Sequence, residues 1–91
     1  MKKKTWHSFV KSHYLVNRVY DMLDYFKLLD NTDEIEMKKR IITQFQDIYY
    51  VESLAKFFED KLKKNKKKVE VRCNLIDLIH DLDYLKQYLS N

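Results

Sequence analysis

The chain has 91 residues, of which 45% are hydrophobic and 35% are charged, and it contains no Gly and no Pro. A chain of this length makes one domain, and its hydrophobic fraction is too high for a disordered tail. Without Gly, the Gly-rich loops that cradle phosphate groups and the nucleophile elbow of hydrolases are excluded, and tight β-hairpins are disfavoured. We therefore expect a single all-α domain over residues 1–91.

The sequence offers no membrane segment and no site for chemistry. No stretch is long and apolar enough for a transmembrane helix, and the residues after the first lysines do not form a signal core. Cys73 is the single cysteine, so no internal disulfide is expected. Asp77, His80 and Asp81 are spaced so that they could hold one ion weakly, but no second helix offers a matching motif, so no metal site is expected. We expect a cytoplasmic protein without membrane association, cofactor or catalytic residues, and therefore not an enzyme.

The first predicted helix covers about residues 6–29. Thr5 is the expected N-cap, which leaves residues 1–4 as a basic tail, and the polar residues 30–33 are expected to end the helix. Apolar residues recur at steps of four and three, as one buried face requires. These residues are Leu15, Val19, Met22, Phe26 and Leu29.

The second predicted helix runs from about residue 33 to residue 64. Asn31 and Glu34 have the spacing of a capping box, and Asn65 is a suitable C-cap. The apolar pattern changes phase at residues 48–51, whose β-branched and aromatic side chains are mediocre helix formers. We favour one continuous helix; the alternative is a break near residues 50–53, with Ser53 capping a further helix.

The third predicted helix, about residues 69–89, carries a heptad pattern of apolar residues. Three heptads are marginal for a free-standing coiled coil, so we expect the seam to pack inside one chain, with a homodimer through residues 71–89 as the alternative. The fold expected is a small antiparallel bundle of three long helices, or four if the second helix breaks. The seam comprises Val71, Leu75, Leu78, Leu82, Leu85 and Leu89.

Basic charge is concentrated in one predicted connection. Residues 1–60 carry equal numbers of basic and acidic side chains, so the net charge of +4 arises in residues 61–91. In a three-helix bundle, the lysines of residues 61–68 would lie beside those of the N-terminus, and together they would attract the phosphates of nucleic acid. The candidate anion contacts are Lys61, Lys63, Lys64, Lys66, Lys67, Lys68, Lys2, Lys3 and Lys4.

Seven tyrosines are many for a chain of this length, and tyrosine is enriched at protein interfaces because its ring is apolar while its hydroxyl can stay hydrated. Several lie off the apolar faces of their predicted helices, which is typical of an exposed aromatic strip. The candidate partner-binding residues are Tyr25, Tyr49, Tyr50, Tyr84 and Tyr88.

These features predict a small binding protein: a cytoplasmic inhibitor, regulator or adaptor that docks on another protein through tyrosine-bearing helix faces. The alternative is a nucleic-acid-binding protein that uses the lysine-rich connection of residues 61–68, as a homodimer in one version. Small proteins of this skewed composition are common in AT-rich bacteria and their mobile elements, an expectation from composition alone.

Overall fold

A computed structural model of the chain describes the backbone of residues 2–29 and 33–90, and the side chains of residues 13–29 and 33–90. Within these residues there are four helices and no strand, which confirms the predicted all-α class. The helices are α1 (Lys2–Tyr25), α2 (Glu34–Gln44), α3 (Ile48–Lys64) and α4 (Val69–Ser90).

The chain divides into two compact units, Met1–Gln46 (unit 1) and Asp47–Asn91 (unit 2). Unit 1 contains α1 and α2, and unit 2 contains α3 and α4, so each unit is built around one pair of helices. That residues 1–91 act as a single domain stays a prediction.

Helix α1 begins earlier than expected. It starts at Lys2, so Thr5 lies inside the helix and is not its N-cap, and residues 2–4 do not form a tail. Lysine is a good helix former, and water can satisfy the first N–H groups of an uncapped helix. Both conditions allow the helix to extend back through the basic residues.

Helix α1 also ends earlier, at Tyr25 instead of residue 29. Lys27 adopts a left-handed backbone conformation with φ of 58°. Its N–H donates to the Asp24 carbonyl at 2.9 Å, and the Leu28 N–H donates to the Leu23 carbonyl at 2.9 Å. This is the Schellman arrangement, in which glycine usually takes the left-handed position. A chain without glycine must place another residue there.

Helix α2 begins at Glu34 with Asp33 as its N-cap. The Asp33 carboxylate accepts hydrogen bonds from the N–H groups of Ile35 and Glu36, at 3.1 and 3.2 Å. Asn31, the residue expected to begin a capping box, lies outside the described residues. The first turn of α2 is acidic, with Glu34 and Glu36, which suits the positive end of the helix dipole.

The predicted continuous helix over residues 33–64 is wrong, because the chain breaks between Gln44 and Ile48. The break also precedes the alternative position, and Ser53 lies inside α3. Asp47 is the N-cap of α3 and accepts the Tyr49 N–H at 2.9 Å. A carboxylate at this position stabilises a new helix start. Burial outweighs the low helix propensity of the following residues, since Val51 is fully buried.

Helix α4 agrees with the third predicted helix, and four leucines of its heptad seam are between 0 and 8% exposed. Helix α4 packs along α3, which contributes the fully buried Val51 and Phe58. The central seam is therefore buried within one chain, as expected. A homodimer through residues 71–89 stays a prediction, and it would need a face of α4 other than these leucines: Leu75, Leu78, Leu82 and Leu85.

Unit 1 has its own set of buried apolar side chains. They come mostly from α1, while Ile41 is the one fully buried residue of α2 and Phe45 follows at its end. Four come from the part of α1 whose side chains are described, residues 13–25, and they lie on adjoining rows of the helix, as the sequence pattern predicts. They are Leu15, Val16, Val19 and Met22.

Candidate functional site

Two hydrogen bonds fix how α3 and α4 run relative to each other. The Arg72 Nη1 donates to the Leu62 carbonyl at 3.1 Å, and the Lys86 Nζ donates to the Glu52 carboxylate at 3.1 Å. Moving forward along α4 from the first contact to the second therefore means moving backward along α3. The two helices form an antiparallel hairpin, with residues 65–68 at its closed end.

The closed end carries the cluster of six lysines predicted from the sequence, hereafter the lysine cluster: Lys61, Lys63, Lys64, Lys66, Lys67 and Lys68. Three of them, Lys63, Lys66 and Lys67, are exposed and make no ion pair with any residue that the structure describes. Lys64 pairs with Asp60 at 3.1 Å, and the Lys61 Nζ lies 5.3 Å from the centre of the Phe57 ring. The cluster thus presents at least three cations directly to solvent.

Two carbonyl groups in the last turn of α3 are hydrogen-bonded to residues other than the lysines of the cluster. Asn65, the predicted C-cap, donates its Nδ2 to the Lys61 carbonyl at 2.8 Å, which confirms that role. The Arg72 Nη1 donates to the Leu62 carbonyl from the other helix. These two carbonyls are therefore capped without a lysine ammonium group.

Lys2, Lys3 and Lys4 belong to unit 1, at the start of α1, and their side chains lie outside the described residues. Their expected position beside the lysine cluster assumed one long second helix. The break after Gln44 removes the basis of that expectation.

Three predicted tyrosines share one side of the α3–α4 hairpin. Residues two apart on a helix project about 200° apart. Tyr50 precedes Glu52 by two residues and Tyr88 follows Lys86 by two, so both lie on the flank away from the Glu52–Lys86 ion pair. Tyr84 is one turn before Tyr88 and is 48% exposed, whereas the other two are half-buried. We call Tyr50, Tyr84 and Tyr88 the tyrosine flank.

The other two predicted tyrosines do not belong to this flank. Tyr49 is 76% exposed and projects about 100° away from Tyr50 around α3. Tyr25 lies in unit 1 at the end of α1, where its ring meets Phe26 edge-on with centroids 5.1 Å apart. Three of the five residues therefore share one flank of the hairpin, and their role in binding a partner stays a prediction.

Sequence reasoning missed two residues of unit 2. Phe57 lies seven residues after Tyr50, so it continues the same row of α3, and a search for aromatic residues at helical spacing would have found it. Arg72 was not among the candidate residues, and its contact with the Leu62 carbonyl depends on how the two helices pack. No sequence pattern predicts such a contact between helices.

Burial and hydrogen bonding alter the acidity of two groups in unit 2. Burial raises the pKa of the Tyr50 hydroxyl, so this residue stays protonated and can donate a hydrogen bond well above neutral pH. The hydrogen bond from Lys86 lowers the pKa of the Glu52 carboxyl. The two charges of this ion pair therefore persist into mildly acidic solution.

Unit 1 contains an open groove of about 210 Å³ between α1 and α2. The Lys38 Nζ beside it lies 5.1 Å from the Tyr20 ring centre and donates to Glu34 at 2.7 Å, which raises the pKa of the ammonium group. Burial raises the pKa of the Tyr20 hydroxyl. The groove is lined by His13, Val16, Asn17, Ile35, Lys38, Lys39 and Ile42.

The part of the chain that the structure describes contains neither a metal-binding cluster nor a membrane-spanning helix. There, no group of three or more His, Cys, Asp and Glu side chains could hold a metal ion. No helix among these residues combines the length and apolar character needed to cross a membrane. Comparison with protein-family models, curated proteins and solved structures finds no match to this chain.

Proposed function

We propose that this chain is a non-enzymatic binding protein, a cytoplasmic inhibitor, regulator or adaptor that docks on another protein through the tyrosine flank. The observation that carries this proposal is Tyr84, which is 48% exposed and stands one turn from the half-buried Tyr88. A partner that covered Tyr84 would remove an aromatic surface from water without first having to order a loop.

The other two residues of the tyrosine flank favour docking because burial already holds their side chains in place. Tyr88 and Tyr50 are half-buried, so their rings lose little conformational freedom when a partner arrives. Rigid aromatic residues on helices are the side chains that most often dominate binding energy at protein interfaces. Tyr49, which is more exposed, stands on another face and is not part of this proposal.

The proposal places the protein in the cytoplasm. Its one cysteine, Cys73, is an exposed thiol, which suits a reducing compartment. The exposed lysines would speed encounter with an acidic partner by long-range attraction.

Site-specific photo-crosslinking tests the proposal. A photoreactive phenylalanine derivative replaces Tyr84 in one variant and Tyr14 in a control, because Tyr14 is 64% exposed but lies in unit 1. Cells that produce each variant are irradiated, and the protein attached to the probe is identified. We expect one defined protein to attach at position 84 and not at position 14.

Affinity measurements with the identified protein complete the test. Tyr84→Ala should weaken binding by about 2 kcal/mol, or about 30-fold, as removal of a central aromatic anchor does. Tyr14→Ala should change it less than about twofold, since exposed residues outside an interface contribute little. Equal crosslinking at both positions, or unchanged affinity of a folded Tyr84→Ala variant, would contradict the proposal.

A further inference from the structure

We infer that the closed end of the α3–α4 hairpin is a second binding site, which holds the phosphate backbone of double-stranded nucleic acid without reading its sequence. This site lies at the opposite end of the hairpin from Tyr50 and Tyr88, so it is separate from the proposed docking flank. Three properties of the lysine cluster support the inference.

The first property is that the cations are available. Lys63, Lys66 and Lys67 are exposed, and no residue that the structure describes neutralises them. Two of the carbonyls in the last turn of α3, those of Lys61 and Leu62, already accept hydrogen bonds from Asn65 and Arg72. A phosphate therefore does not have to displace an internal ion pair to reach these ammonium groups.

The second property is the uneven distribution of charge along unit 2. Its net charge is small, but basic and acidic side chains are concentrated in different parts of it. Residues 59–72 contain seven basic and three acidic side chains, whereas the rest of unit 2 contains two basic and five acidic ones. A polyanion is attracted to the closed end and repelled by the remainder. This asymmetry favours approach through the closed end of the hairpin.

The third property is that the planar side chains that read bases are engaged elsewhere. Arg72 and Asn65, of the types that pair with guanine and adenine in a fixed geometry, hold the end of α3, whereas the flexible lysines contact phosphates as point charges. Residues 61–68 contain no aromatic side chain, and the ring of Phe57, 5.3 Å from the Lys61 Nζ, is half-buried, so the cluster offers no fully exposed ring on which unpaired bases could stack. Phosphates of a duplex are the chemistry that remains.

An anionic membrane surface fits these residues less well. Peripheral membrane segments combine basic residues with apolar side chains that enter the bilayer. The single apolar residue among residues 61–68, Leu62, is half-buried, and only the adjoining Val69 is strongly exposed. The cluster therefore provides charge with little to insert.

Salt dependence of binding to a labelled random 30-base-pair duplex, measured by fluorescence anisotropy, tests the inference. Three phosphate contacts predict a log–log slope of about −2.7, so the affinity should fall about 40-fold between about 50 and about 200 mM salt. Duplexes of unrelated sequence should bind with equal affinity. A preference for one sequence above about tenfold would contradict the absence of base reading.

A matched pair of variants separates the cluster from net charge. One carries Lys63→Gln, Lys66→Gln and Lys67→Gln, and it should lose about 2.7 from the magnitude of the slope. The other removes the same charge at exposed lysines elsewhere: Lys27→Gln, Lys39→Gln and Lys56→Gln. The second variant should keep the wild-type slope.

Three results would overturn the inference: no duplex binding at about 50 mM salt, equal loss in both variants, or tighter binding to phosphatidylserine-containing vesicles than to the duplex. The last result would assign the cluster to a membrane surface. The outcome is independent of the proposed docking function, because Tyr84→Ala should leave duplex binding unchanged.

Discussion

The two units of this chain are both pairs of helices, but they are stabilised in different ways. Both described ion pairs of unit 1 join residues one turn apart within α2, at Glu34–Lys38 and Glu36–Arg40. In unit 2, the Glu52–Lys86 ion pair and the Arg72 hydrogen bond connect one helix to the other.

The buried apolar residues show the same contrast. In unit 2, α3 and α4 contribute four buried residues each, so the apolar contact is shared equally between two long helices. In unit 1, the 11-residue α2 contributes a single one, Ile41, and the capping interactions of Asp33 and Lys27 define the helix ends. Among the described residues, the buried apolar contact of unit 2 is therefore shared between its two helices, whereas that of unit 1 comes mainly from α1.

The largest effect is expected for Leu82→Asp in unit 2. Leu82 is fully buried in the seam, so the change removes apolar packing and buries a carboxylate without a partner. The free energy of unfolding should fall by at least about 3 kcal/mol, measured by urea denaturation. Asn74→Asp, at an exposed position of the same helix, is the control and should have little effect.

If Leu82→Asp does not fold at all, Leu82→Ala keeps the test quantitative, with an expected loss of about 2–5 kcal/mol. An unchanged denaturation midpoint in either variant would mean that the seam does not stabilise unit 2. The contrast between the units would then fail at its main point.

The second-largest loss of stability is expected for Arg72→Ala, which removes the hydrogen bond from α4 to the Leu62 carbonyl of α3. Hydrogen bonds from a charged donor contribute more than neutral ones, so we expect a loss of about 1–2 kcal/mol in thermal or urea denaturation. Lys67→Ala, in the exposed connection nearby, should be close to neutral. Equal stability of both variants would show that this interhelical contact is dispensable.

A smaller effect, of opposite sign, is expected in unit 1. Lys27→Gly should stabilise the chain by about 0.5–1 kcal/mol, because glycine avoids the steric cost of the left-handed conformation while adding some flexibility to the unfolded chain. Lys27→Ala keeps the Cβ and should give no gain. If the two variants have the same melting temperature, the left-handed turn does not strain the end of α1.

The smallest effect on stability is expected for Glu52→Gln. The ion pair with Lys86 that this change removes connects two helices, but both of its side chains are more than one third exposed to water, and such pairs stabilise proteins only slightly. We expect a shift in the urea midpoint close to the error of its measurement at neutral pH.

The pH dependence of this small effect has a defined sign. The pKa of Glu52 is lower in the folded chain, so its contribution is present above its ordinary value of 4.5 and is lost as the pH falls through the folded value. The difference between wild type and Glu52→Gln should therefore vanish in acid. A difference that grows in acid would contradict the assigned cause.

Periodicity indicated that the chain is helical and identified the four buried residues of α4, although the outer members of the predicted seam, Val71 and Leu89, are only half-buried. The repeat of Leu75, Leu78, Leu82 and Leu85 leaves one geometry that can remove all four from water, namely a helix packed on its apolar face. The positions of the six clustered lysines at a helix junction also followed from the sequence, because this polar run separates two apolar patterns.

Tertiary structure decided where the second predicted helix breaks and which tyrosines share a surface. Propensity pointed to residues 50–53, but burial of Val51 held that stretch in a helix, and the Asp47 cap moved the break upstream. Tyr49 and Tyr50 are the same residue type at adjacent positions, yet the packing of α3 against α4 leaves Tyr49 exposed and Tyr50 half-buried. Local sequence sets the period of a helix and supplies its caps, whereas its packing partners determine which side faces water.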